Sequence, residues 1–123
     1  WKANGTTLVG ETGLSADLDG TTITLTGLTL TGAGLALVME VPLAGWIPGS
    51  QVQCTAATGS SCSYADPSAN AYSTNFGGGV TVNIAYVDAV SGGFIVGTFM
   101  GSVLGMSGES MNIAQGAFQM QIN

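Results

Sequence analysis

Few side chains in this chain can do chemistry, and their spacing argues against most of it. There is no histidine and no arginine, and a single lysine, Lys2, stands against seven acids in 123 residues, for a net charge of -6. Acyl transfer of the Ser-His-Asp or Cys-His kind needs a base to take the proton of the nucleophile, and neither a histidine nor a lysine near a serine supplies one. Glycoside hydrolysis needs two carboxylates flanking the scissile bond. Only Asp17 and Asp19 are close, and on a strand they point the same way at a hairpin tip, where solvation accounts for them. With Gly20 they have the opening of a calcium loop but lack its later ligands. The glycine runs do not lead from a strand into a helix, so they are not phosphate cradles. The sequence therefore predicts no enzyme, no cofactor and no metal site.

Cys54 and Cys62 lie eight apart in a Gly/Ser/Thr-rich stretch. In an oxidising compartment they are expected to form a disulfide, which for a nine-residue loop stabilises by about 2.5 kcal/mol on the chain-entropy view. Two unrelated buried thiols are the other reading; a metal pair lacks further Cys or His ligands. Asn4-Gly5-Thr6 is a glycosylation sequon at Asn4. Trp46, Tyr64 and Tyr72 are the aromatic side chains on which a sugar ring could stack. Trp46, between Pro42 and Pro48, either caps the open end of the fold or anchors a neighbour.

Composition sets the class. Charged residues make up 7% of the chain where about 25% is usual, while the hydrophobic share of 46% is ordinary. Gly, Thr, Ser and Asn replace the missing charge. Without Lys or Arg to neutralise phosphates, nucleic acid is excluded as a partner, and so is a polybasic membrane contact. No signal segment or anchor is visible, and the chain, which offers trypsin-like proteases almost nothing to cut, reads as a mature extracellular or cell-surface protein.

The elements that must position these residues read as strands throughout. The longest apolar stretch, Gly92 to Gly108, has glycines at 93, 97, 101 and 105, a spacing that on a helix gives a close-packing membrane face. Interior glycines penalise a soluble helix by about 1 kcal/mol each, and no basic residue flanks the segment, so a strand is predicted. Its two faces, Phe94, Val96, Thr98, Met100, Ser102 and Leu104 against Ile95, Phe99 and Val103, are both apolar and predict cover on both. Asp19-Gly20 predicts a hairpin turn that sets Leu18 opposite Thr21, Ala16 opposite Ile23 and Leu14 opposite Leu25. The apolar phase breaks at Gly27, predicting a bulge or change of sheet, and 31–34 reads as a turn. Residues 35–42 form a strand ended by Pro42, 42–79 is the long irregular segment, and Val80 to Tyr86 alternates as a half-buried strand joined to 93–104 by a hairpin. A second phase change at Gln115 and Gly116 precedes Phe118, Met120 and Ile122. One domain, 1–123, follows: an antiparallel β-sandwich or flattened barrel of about eight to ten strands.

The tail then resembles small secreted β-sandwich domains of unknown function common in bacterial surface lipoproteins. The shared motifs are Gly97-Thr98-Phe99 and Ile113-x-x-Gly116-x-Phe118, after VTVNIAYVD; the front, Trp1 to Gly27, agrees more loosely and lacks a short initial strand. The resemblance implies a fold and an exported location and brings no catalytic residues.

The function expected from these features is a non-enzymatic structural subunit, not membrane-spanning, that assembles with copies of itself into a filament, sheath or surface layer. Strand addition is the expected mode: an uncharged N-terminal segment, Trp1 to Val9, carries Trp1, Leu8 and Val9 across a subunit boundary, with Trp46 and the disulfide at or near the contact. The alternative is a carbohydrate-binding or adhesion module whose partner is a glycan.

Overall fold

The computed structural model describes residues 2–3, 6–7, 12–19, 22–28, 36–42, 46–65, 70–88 and 90–123, and none of these is helical. Among the described residues ten strands form: β1 (Lys2–Ala3), β2 (Thr6–Thr7), β3 (Thr12–Asp19), β4 (Thr22–Leu28), β5 (Ala36–Pro42), β6 (Gln51–Cys54), β7 (Ser61–Ala65), β8 (Ala71–Val87), β9 (Phe94–Gly105) and β10 (Ser110–Gln121). Nine run in the order β2-β1-β10-β9-β8-β7-β5-β4-β3, every neighbour antiparallel, and β6 pairs separately with β8. The sheet curls until β3 meets the C-terminal end of β10. Ala16 of β3 bridges Ile122, and the Asn123 N–H donates to the Ala16 carbonyl at 2.9 Å. The result is a nearly closed, barrel-shaped sheet with one core inside.

The local signals explain most of the strand borders, with instructive shifts. The β3–β4 hairpin pairs Leu18 with Ile23 and Ala16 with Leu25, two residues from the register expected of an Asp19-Gly20 turn. A slip of two keeps every side chain on its face, so Ala16, Ile23 and Leu25 still point into the core. The irregularity expected at Gly27 lies in its partner strand: the register jumps between Thr12 and Ser15, opposite Gly27, while β4 pairs with β5 without a break. The turn expected at 31–34 lies outside the described residues.

Between 42 and 79 the chain is far more regular than its composition suggests. It holds β6, β7 and the first half of β8. Strand β8 runs for 17 residues and changes partner midway, pairing with β7 over Ala71–Ser73 and with β6 over Val80–Asn83. Gly77 and Gly78, with φ of 138° and 79°, turn the corner between the halves, a backbone state that side-chain-bearing residues rarely adopt. The glycine run is thus a bend inside a strand.

Of the N-terminal segment expected to cross a subunit boundary, residues 2–3 and 6–7 are described. Its described parts stay with their own sheet: Lys2 and Ala3 pair with Ala114 and Ile113 of β10, and β2 pairs back on β1. Trp1, Asn4, Leu8 and Val9 lie outside the described residues.

The core is organised by a reciprocal contact between β9 and β10. Phe99 lies opposite Gly116, and Phe118 opposite Gly97. Each ring lies over the glycine facing it, and the two rings stack with centroids 6.4 Å apart. A Cβ on Gly97 would stand 2.5 Å from Phe118 Cζ, and one on Gly116 would collide with the Phe99 ring. Trp46 closes the arrangement, edge-on to Phe118 at 6.0 Å, with its Nε1–H donating to the Val41 carbonyl at 3.1 Å. Because odd positions of β9 carry these inward groups, its even positions face out. Of the two apolar faces the single chain covers one: Ile95, Phe99 and Val103 are buried, while Phe94 and Met100 are 49% and 56% exposed.

Substituting Gly116→Ala should therefore destabilise the fold by about 2 kcal/mol, within the range for overpacking a tight core. Denaturant unfolding measures it, and a double-mutant cycle with Phe99→Leu should return a coupling energy well above zero because the smaller side chain relieves the clash.

Candidate functional site

The strand order of the closed sheet divides the outer surface of the barrel into two unlike walls. On one, Asp17 of β3 pairs with Thr24 of β4, and Thr24 with Glu40 of β5. Both acids are exposed. At about 4.8 Å per strand they stand roughly two strand spacings apart, too far to share a proton. Asp17 accepts a hydrogen bond from Asn123 Nδ2 at 2.7 Å, which ties the acid wall to the closing seam.

The other wall is built from β6, β8, β9 and β10, whose sequences contain no charged residue; the exposed acids Asp88 and Glu109 stand in the turns at its two ends. Its spine is the outward row of β9. Across this row run ladders set by the register: Tyr86–Val96–Gln119, Asn83–Thr98–Ala117 and, on the β8 side, Thr81–Met100. Thr81 Oγ1 donates to Gln53 Oε1 at 2.9 Å, joining β6 to the same surface. Phe94, Tyr86 and Met100 are each about half exposed. Tyr86 belongs here only because the register shifts between Ile84 and Tyr86; straight alternation would have turned it inward with Val82 and Ile84. The shift also opens a shallow groove of about 300 Å³ between Gly49–Gln51, Asn83–Ala85 and Val96–Thr98. A second groove of about 350 Å³, lined by Val38, Ser63, Ser73, Asn75 and Phe76 among others, lies where β5, β7 and β8 meet.

Of the residues singled out from sequence, Trp46, Tyr64 and Tyr72 sit elsewhere. Trp46 is 5% exposed and belongs to the core, so it caps the barrel and offers no ring to a neighbour or a sugar. Tyr64 is buried, and Tyr72 packs half-buried against the same core with the two rings 6.2 Å apart. The proposed stacking platforms therefore do not form a surface. Among the described residues the exposed aromatic groups are Phe76, Tyr86 and Phe94. Phe94 was legible as part of an apolar row; the outward turn of Tyr86 was not, since it depends on the irregularity at Ala85.

Cys54 and Cys62 are not joined. Both are free thiols, fully buried, which corrects the disulfide expected from their spacing. Different partners set their positions: Cys54 ends β6 opposite Val80 of β8, and Cys62 sits in β7 opposite Met39 of β5. The Cys62 N–H donates to the Thr74 hydroxyl at 3.0 Å. Burial disfavours the thiolate and pushes the Cys54 pKa from 9.0 up to about 11. Cys62 is driven higher still, by burial first and by the neighbouring Cys54 second. Neither is a nucleophile at neutral pH.

Comparison with known proteins finds no family model that matches the chain, and no curated protein or solved structure similar to it. What the fold and surface define is an all-β, antiparallel, nearly closed barrel with an acidic wall and an uncharged, partly apolar one.

The thiols yield a test. Undenatured, unreduced protein should take up almost no thiol reagent at neutral pH, and two equivalents once unfolded. The neutral thiols also make stability pH-dependent: their contribution is complete below the unfolded value of 9.0 and drains as pH rises towards the folded value of about 11 for Cys54, because there the folded state holds a proton the unfolded state has lost. The slope is at most about 1.4 kcal/mol per pH unit per thiol. Cys54→Ala/Cys62→Ala should flatten that alkaline limb in denaturant melts.

Proposed function

We propose that this chain is a non-enzymatic extracellular structural subunit that associates with copies of itself. The observation that carries the reading is the uncharged wall: four strands with no charged side chain, and an outward row along its centre in which Phe94 and Met100 are exposed and Val96 between them is partly buried. Water-exposed sheet surfaces of monomers are normally broken by charge, and edge strands are normally guarded by it. Here β6, four residues long and paired only with β8 among the described residues, carries Gln51 and Gln53 instead. The described N-terminal residues pair in cis, so apolar packing of the wall replaces strand exchange as the main contact. An exported location is supported by the low charge and by the resemblance of the tail motifs to bacterial surface domains.

The carbohydrate-binding alternative loses its support with the burial of Trp46 and Tyr64. Sedimentation velocity and negative-stain microscopy of native protein decide the matter. The proposal expects oligomers or polymers that grow with concentration and persist in high salt, since apolar contacts are not screened. A monomer at millimolar concentration would remove it.

A further inference from the structure

We propose that two copies of this chain join back to back through the β9 spine, about a two-fold axis that crosses β9 at Thr98. This rests on the self-associating reading above and specifies which surface meets which.

Charge chooses the occupant. If the uncharged wall met the acidic wall of the next copy, Asp17 and Glu40 would both be desolvated, at least one of them without a counter-ion. Such burial of unpaired charge is strongly unfavourable. The chain has one lysine to offer, on β1 beside Ala114 at the margin of the uncharged wall, and it cannot pair with both acids. Two acidic walls repel. The uncharged wall is left with a partner of its own kind, and a surface that meets its own copy does so with two-fold symmetry. The acidic walls then face outwards on both sides and keep the pair soluble.

Geometry places the axis. Thr98 is midway along the outward row from Phe94 to Met100 and Leu104, and its neighbours Asn83 and Ala117 are small or amide-bearing, so a second sheet can approach closely. With the axis running across the strands, position 98 meets position 98, and Met100 of one copy stands over Val96 of the other, beside the groove that Val96, Thr98, Asn83 and Gln51 line. A flexible methionine, 56% exposed in the single chain, has the shape to fill it. Three strands of about twelve residues at ~3.3 Å rise and ~4.8 Å spacing present roughly 600 Å² per copy. The total, about 1,200 Å², is at the lower end for specific interfaces. Such a pair is modest by itself and suited to being one repeated contact in a larger assembly.

Variants with one added cysteine test this, because the native thiols are buried. Thr98→Cys and, as a control on the acidic wall, Glu40→Cys are treated with a short bis-maleimide under non-denaturing conditions, and association of wild type and of Met100→Asp is followed by sedimentation equilibrium, with circular dichroism to check the fold. The expected result is a covalent dimer from Thr98→Cys and none from Glu40→Cys or wild type. Met100→Asp should weaken association at least about tenfold with an unchanged spectrum, since each substitution enters a two-fold contact twice. If wild type associates while Thr98→Cys stays monomeric, or if Met100→Asp associates as wild type does, the back-to-back pairing is wrong and the general reading survives. Monomeric wild type at millimolar concentration overturns both.

Discussion

The reciprocal seating of Phe99 on Gly116 and Phe118 on Gly97 is the constraint on which the other features depend. Two adjacent strands carry their bulkiest inward groups at positions where the partner has no side chain at all, so the rings fill space that two ordinary residues would contest. The arrangement holds only if β10 is in phase with β9. The register shift between Ile113 and Gly116 provides that phase, allowing Ile113 on one side and Phe118 on the other both to face the core. Trp46 then rests on Phe118 as a lid. Once odd positions of β9 are committed inwards, Phe94, Val96 and Met100 have nowhere to go but out. The exposed row is a direct result of how the core is packed.

Closure of the sheet turns this into a molecule with two sides. The acids of β3 and β5 fall on strands at one end of the strand order, and the uncharged strands at the other. In an open sheet they would share a surface; curled into a barrel, they become separate walls. Net charge keeps such a protein dispersed while the neutral wall is free to make contacts. The buried thiols fit the same scheme. They behave as small apolar residues in the core, where β6 and β7 flank the bent β8, and they are kept neutral by burial.

Much of this was written locally. Alternation along β8, β9 and β10 marks the strands, the phase change at Gln115 and Gly116 marks a real bulge, and the parity of the β3–β4 hairpin survives a register two residues from the expected one. These are signals between neighbours in the chain, and steric and hydrophobic patterning transmits them without help from distant residues. The lack of His and Arg is equally a property of composition, and it constrains chemistry whatever the fold.

Tertiary structure decided the rest. Whether Cys54 and Cys62 join depends on which strands β6 and β7 pair with, and their partners, Val80 and Met39, are set by long-range ladders. Whether Trp46 is a lid or an anchor depends on where Phe118 lies, some seventy residues on. A strand apolar on both faces states that both faces prefer cover, but not what covers them. In this chain the barrel interior takes one face, and the other is left uncovered by any described part of the same molecule, because a closed single-layer sheet has only one inside.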